Sequence, residues 1–309
     1  MHPQIREIHL KNLFICRELL SNSIGFLKIS MIHLYDNLDR EDKNMPNHTA
    51  IVKKAYALLQ LERRMVGIRF VYDKETFDSF DAREPQKPMY YCQAVHAASA
   101  GHGIKLTKAT SGCAGSTRAL GFTAPQPEYY EGSSGMRLGL YSSQSVAKSV
   151  ALRLDIMNQP LYGIVVMPLE EFMSPPDTVM LFTNTREAMR VMQGYTAVYG
   201  LHDRICMSGN QAVCVECTTY PYLNQCLNLS MLCAGTRFRA DWKDTEVAIG
   251  LPYGKLEGLV EGLQGTVNAI ERNARKQQIE NKLRTDGLFD MEIEYGHTYF
   301  LTEDHSPRE

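Results

Sequence analysis

At 309 residues the chain exceeds one average domain, and with 44% hydrophobic and 22% charged residues it has a globular composition, which excludes a mainly disordered or fibrous protein. Thirty-three basic against thirty-five acidic residues leave a formal charge of −2, without the basic excess of a dedicated nucleic-acid binder. No run of about 20 uncharged apolar residues occurs, so no membrane-spanning helix is expected.

Residues 1–49 read as an N-terminal extension. The stretch from Phe14 to Tyr35 is apolar in patches but carries Arg17, Glu18 and Lys28 and lacks a small-residue cleavage site, so it does not read as a secretory signal. A polar run, Asp36 to Asn44, precedes Met45, an alternative start. The expected compartment is therefore the cytoplasm, where eight cysteines read as thiols or metal ligands sooner than as disulfides.

From Ala50 to Glu62 the apolar spacing predicts a helix, and Met65 to Tyr72 a strand. Cys92 to Ala100 reads as a short helix stopped by glycines, Ile104 to Lys108 as a strand, and Gly112 to Ser116 as a turn. A short strand ending at Gly139-Leu140-Tyr141 is expected next. A helix from Ser145 to Met157 then buries Val146, Val150, Ala151, Leu154 and Ile156.

The order then recurs. Tyr162–Pro168 matches Met65–Tyr72, with a strand (Asp177–Phe182) and a helix (Thr185–Tyr199) inserted after it. Gly209–Tyr220 reads as a helix, and Leu227–Met231 matches Ile104–Lys108. Cys233-Ala234-Gly235-Thr236-Arg237 echoes Cys113-Ala114-Gly115-Ser116-Thr117-Arg118. Gly250-Leu251-Pro252 echoes Gly139-Leu140-Tyr141, and Leu256–Ile270 echoes the helix at Ser145. The expectation is an α/β or α+β fold of two pseudo-equivalent halves, 50–158 and 159–272, with sheet strands covered by helices. A charged helix and tail, 273–309, follows, and Met291–Leu301 is a candidate edge strand.

This alignment sorts the cysteines. Cys92 and Cys113 in the first half correspond to Cys214 and Cys233 in the second, whereas Cys16, Cys206, Cys217 and Cys226 have no counterparts. Four thiolates around one centre suit a 4Fe–4S cluster, with zinc as the alternative metal. Arg118 and Arg237 follow the two glycine turns, where they can balance cluster charge or bind an anionic substrate. Against this stands the common role of cysteine as a small buried hydrophobe. Cys214-Val215-Glu216-Cys217 is a competing CxxC, but a redox pair usually opens a helix after a strand and this one sits inside a helix. His96, His102 and His202 are isolated, and no common nucleotide, hydrolase or zincin motif is present.

The ordered motifs MVGIRF, CQAVHAASAGHG, GCAGSTRALGF, YGIVVMPLEEF, TREAMRVMQGYTAVYG, GNQAVC, NLSMLCAGTR and VAIGLPYGKLEGLVEGL resemble family 169 of the domains of unknown function, over about residues 50–265. That resemblance implies ligand-type cysteines at Cys92, Cys113, Cys214 and Cys233, and none at Cys16, Cys206, Cys217 or Cys226. The CAG turns depart from a more Gly-rich or acidic version in many relatives. The function expected is a cytoplasmic iron–sulfur protein in electron transfer or reductive chemistry on a small anionic molecule, with a redox partner protein and a homo-oligomer as candidate associations. The alternatives are a non-redox small-molecule or metal-binding protein with a cysteine-lined pocket, or a thiol enzyme using Cys214 and Cys217.

Overall fold

Most strand segments are apolar at successive positions and not only at alternate ones, so each must be covered on both faces. The computed structural model describes residues 48–296, and the chain divides into units Met1–Pro46 and Asn47–Glu309. The N-terminal extension with Cys16, and the tail beyond residue 296, lie outside the described residues.

In chain order, helix α1 (His48–Leu58) leads into strand β1 (Val66–Val71), α2 (Lys74–Ser79), α3 (Tyr91–Ser99) and β2 (Ile104–Thr107). Four short helices follow: α4 (Ala114–Ala119), α5 (Pro127–Tyr130), α6 (Ser133–Arg137) and α7 (Gln144–Ala151). Then come β3 (Gly163–Pro168), β4 (Thr178–Thr183), α8 (Thr185–Tyr199), a π-helix (Ala212–Thr219) and α9 (Tyr220–Asn224). The described chain closes with β5 (Asn228–Ser230), α10 (Ala234–Ala240), β6 (Val247–Pro252), α11 (Leu256–Gly265), α12 (Val267–Ile270) and α13 (Asn273–Thr285). None of the described helices is long and apolar enough to cross a membrane.

The fold is mixed α and β, built on one six-stranded sheet in the order β2-β3-β1-β4-β6-β5. Every named pairing is antiparallel. The central pair is β1 with β4, where Gly67 faces Val179. On one side β3 pairs with both β1 and β2, and on the other β6 pairs with both β4 and β5. The segments expected to be equivalent, Met65–Tyr72 and Tyr162–Pro168, are therefore neighbours, paired from Val66↔Pro168 to Val71↔Gly163.

Alternation along the strands builds two cores. Val66, Ile68, Phe70, Ile164, Val166, Met180, Phe182 and Ala248 face α3 and the π-helix. Val179, Leu181, Val247, Ile249 and Leu251 face α1, α8, α11 and α13 on the opposite side. A smaller cluster of Val71, Val165 and Met167 packs on Phe77 and Phe172.

Three local readings are corrected. Residues 139–141 form no strand, because Gly139 takes a left-handed turn (φ 67°) after α6, and so the echo with Gly250-Leu251-Pro252 fails. The helix at 145 ends at Ala151 and buries Ala147 and Ala151, leaving Val146 exposed, while Leu154 and Met157 reach the core from irregular chain. Within the candidate edge strand Met291–Leu301, residues 291–296 form no strand, and the rest lies outside the described residues.

On the second face, α8 and α11 cross at glycines. A Cβ on Gly262 would stand 1.9 Å from the Gly194 carbonyl oxygen, whereas one on Gly265 would meet nothing within 4 Å. We predict that Gly262→Ala lowers the unfolding free energy by about 1–3 kcal/mol through overpacking. Gly265→Ala should be neutral or stabilising by up to ~1 kcal/mol, and urea denaturation of the pair checks both outcomes.

Candidate functional site

Cys113 and Cys233 occupy the same local position. Each is the N-cap of a short helix, α4 or α10, in extended backbone conformation. The glycine turns expected from sequence are thus helix starts, and their Ala-Gly-Ser/Thr sequences are too short and small to show helical periodicity. At Cys233 the Thr236 hydroxyl accepts from the Cys233 N–H at 2.8 Å, completing a capping box in which the sulfur is the cap. At Cys113 the hydroxyls of Ser116 and Thr117 donate back to the Cys113 carbonyl at 3.1 and 2.7 Å. A Cβ on Gly115 would lie 3.7 Å from Cys113 Sγ, and one on Gly235 3.6 Å from Cys233 Sγ, with no other close contact for either. Both glycines therefore keep the space beside the sulfur clear of protein.

Cys92 is the second residue of α3, and its Sγ donates to the Gly235 carbonyl at 3.8 Å. Gln93 Nε2 bonds the Arg239 carbonyl at 2.9 Å, and the Arg239 guanidinium lies 4.8 Å from the centre of the Tyr90 ring. These contacts fix α3 against α10. Cys214 comes from the π-helix, all of whose residues are buried. A π-helix bonds i to i+5 and recurs at functional positions. Tyr91 of α3 reaches Thr218 of this helix at 2.9 Å between hydroxyls, and Thr218 donates to the Val213 carbonyl at 2.5 Å.

Cys92 and Cys214 each lie within electrostatic reach of Cys113 and Cys233. Burial pushes the Cys92 thiol up to about 12, and negative charge on Cys233 and Cys113 adds to the rise. Burial likewise pushes Cys214 well above its ordinary value, followed by Cys233, Cys113 and Cys92. Among the described residues, no three His, Cys, Asp or Glu side chains close on a single metal-ion position.

The other cysteines have different partners. Cys217 is raised by burial, then by Glu216 and by Cys214, and its sulfur is met by the Gly250 N–H and Ser230 on the sheet. About 4.4 residues complete a π-helical turn, so Cys214 and Cys217, three apart, do not share a face as an α-helix would give them. Burial raises Cys206, with Asp155 and Glu216 adding, and it raises Cys226, with Arg204 and Tyr220 opposing.

The arginines differ. Arg237 donates to three backbone carbonyls, those of Lys243, Met231 and Glu246, and so braces the chain between α10 and β6. Arg118 stacks its guanidinium 3.9 Å from the centre of the Tyr129 ring, and its Nε is buried with no hydrogen-bond partner. Beside it, Gln211 Nε2 reaches the Tyr129 hydroxyl at 3.4 Å while Gln211 Oε1 has no partner.

Glu216 was not singled out from sequence. It is wholly buried, and its Oε1 accepts from the backbone N–H groups of Ser208 and Gly209 at 2.6 and 2.9 Å and from Ser208 Oγ at 3.2 Å. Its Oε2 accepts from Ser230 Oγ at 2.5 Å, and that hydroxyl oxygen accepts the Leu232 N–H at 3.1 Å. Leu232 sits at φ 67°, a left-handed conformation costly for leucine, directly before Cys233. His96, one turn after Cys92, accepts from Arg63 Nη1 at 3.1 Å, and Arg63 also binds both oxygens of Glu246. Burial and then Arg63 lower the His96 pKa, which fits a neutral acceptor.

Residues 55–262 match the domain-of-unknown-function family 169, described as Uncharacterised ArCR. The chain belongs to this family. An uncharacterized protein of Methanocaldococcus jannaschii is 24% identical over 215 residues, covering 69% of this chain and 91% of that protein. No solved structure matches the chain. The span matched to family 169 contains all four clustered cysteines together with Arg118, Glu216 and Arg237.

The raised thiols give a signed pH prediction for the metal-free protein. Between the ordinary cysteine value near 9.0 and about 12, the folded chain keeps the Cys92 proton that the unfolded chain has released. Stability is therefore full below pH 9 and falls as pH rises, by up to ~1.4 kcal/mol per pH unit for each such thiol. Cys92→Ala should flatten this alkaline loss, measured as unfolding free energy from pH 8 to 11.

Proposed function

We propose that this family 169 protein is an iron–sulfur protein in which Cys92, Cys113, Cys214 and Cys233 hold one 4Fe–4S cluster. The observation that supports the reading is that Cys214 feels the charge of Cys233, Cys113 and Cys92, and Cys92 that of Cys233 and Cys113, whereas Cys217, of these four, feels Cys214 and sits against Gly250 and Ser230. Four thiolates suit a 4Fe–4S cluster, and zinc is the alternative metal for the same donor set. When bound through four thiolates, such a cluster supplies one-electron transfer.

The residues of the chain prepare that task. Burial holds Cys92 and Cys214 as neutral thiols near neutral pH, so loading the site releases protons. The glycines at 115 and 235 leave room beside two sulfurs. Arg118 supplies a cation with an unsatisfied Nε, and with Gln211 and Tyr129 it forms the polar group suited to an anionic reactant. Arg237 contributes through the backbone it braces. A redox partner protein and a cytoplasmic setting go with this reading.

The site also fits a duplicated architecture with a changed boundary. Its support is the strand pattern, in which β1, β2 and β3 pair as β4, β5 and β6 do, around the antiparallel β1–β4 contact. On this reading β4 corresponds to β1, and the boundary falls after β3.

Variants test the ligand assignment. Cys113→Ala and Cys214→Ala should lose most iron on anaerobic purification, while Cys217→Ala retains it. Arg118→Met should keep iron content and lower the reduction potential, because positive charge stabilises the reduced state. Iron retained in Cys113→Ala but lost in Cys217→Ala would place the site at the CxxC instead.

A further inference from the structure

We propose a second ligand site, independent of the cysteines, that binds a phosphate group in an arginine-lined cavity on the opposite face of the sheet. The cavity has a volume of about 440 Å³, and its walls include Arg186, Arg272, Arg275, Gln60, Met189 and Ile270. It lies between the first turns of α8 and α13, among helices of the second core.

The charge balance around it is unusual for a surface concavity. Glu271 also lines the cavity but is buried, with Arg190 Nε on one oxygen and Arg186 Nη2 on the other, both at 2.7 Å. Glu187 is equally buried; it accepts from Arg186 and takes the Gln60 N–H at 3.0 Å. Four guanidiniums (Arg186, Arg190, Arg272 and Arg275) thus face two carboxylates, an excess of two positive charges. Both carboxylates are already engaged by protein donors.

The remaining cations form no ion pair among the described residues, although the charges of Glu271 and Glu187 act on Arg275. Arg275 donates to the Ala57 carbonyl at 3.0 Å and to Gln278 at 3.4 Å, yet its Nε is buried with no acceptor. Desolvation lowers the Arg275 pKa, the sign of a cation held in a poorly hydrated place. Arg272 is exposed, and among the described residues its guanidinium has no hydrogen-bond or ion-pair partner. It occupies the N-cap position of α13 without a side-chain cap bond.

Gathered guanidiniums repel one another until an anion neutralises them, and arginine forks match phosphate oxygens in two-point geometry. The cavity exceeds the size of a bare phosphate, and Met189, Ile270 and Ala274 give it an apolar wall. The ligand class is therefore a phosphorylated small molecule, its phosphate at the arginines and its organic part along that wall.

Isothermal titration of the full-length protein at constant ionic strength tests this, with inorganic phosphate and phenyl phosphate as probes. Saturable binding of phosphate is expected in the unaltered chain, weakened at least tenfold in Arg272→Glu. Arg272 is exposed and unpartnered, so an unchanged far-ultraviolet circular dichroism spectrum certifies the variant's fold. Arg275→Gln provides a second variant with the same expected direction. Tighter binding of phenyl phosphate supports a phosphate monoester, and equal binding of both probes supports inorganic phosphate at the same arginines. Absence of saturable binding, or equal affinity in the unaltered chain and Arg272→Glu, overturns the proposal whether or not the cysteines hold iron.

Discussion

The buried carboxylate of Glu216 is the constraint around which the cysteine-bearing face is organised. A carboxylate without solvent access is costly unless donors surround it, and Glu216 has four: two backbone N–H groups and two serine hydroxyls. Meeting them locks the segment before the π-helix to β5, and through Ser230 it holds the left-handed Leu232 that sets the direction of Cys233. One residue thus bears on both Cys214 and Cys233, since Cys214 lies two positions before it in the same helix.

The sheet makes room for this device. A Cβ at Gly250 would stand 2.2 Å from the Cys217 carbonyl oxygen, so only glycine lets the π-helix lie directly on β6. From the other direction α3 is tied to the π-helix through Tyr91 and Thr218 and to α10 through Cys92 and Gln93. The thiols are consequently placed by packed elements and not by loose loops, which is the condition for a site whose geometry survives ligand loss. Burial and neighbouring thiols raise the cost of ionising Cys92 and Cys214.

Much of this could be read from residue order, and the failures have physical causes. Strands such as Val66–Val71 and Thr178–Thr183 are short, mostly apolar runs rich in β-branched residues, and the long helix Thr185–Tyr199 carries a clear amphipathic stripe. Cys113 and Cys233 could be paired from sequence because both open CAG segments, and both prove to be helix N-caps. The pairing of strands could not be selected so easily. Met65–Tyr72 and Tyr162–Pro168 look alike because both are buried on two faces, and that likeness fits neighbours as well as equivalents. The π-helix escaped because Ala212–Thr219 is buried all round, so no polar stripe reveals its period. Glu216 escaped with it, since a lone glutamate in a CxxC carries no sign of burial. Arg237 read as a ligand-facing cation because sequence cannot show that its donors meet backbone carbonyls.

Metal analysis of the protein, purified anaerobically and reconstituted with iron and sulfide, bears most directly on the central claim. The account predicts about four iron and four sulfide per chain, with visible absorption that dithionite bleaches. Stoichiometric zinc, or a colourless protein that takes up neither iron nor sulfide while its four thiols remain reduced, would contradict it.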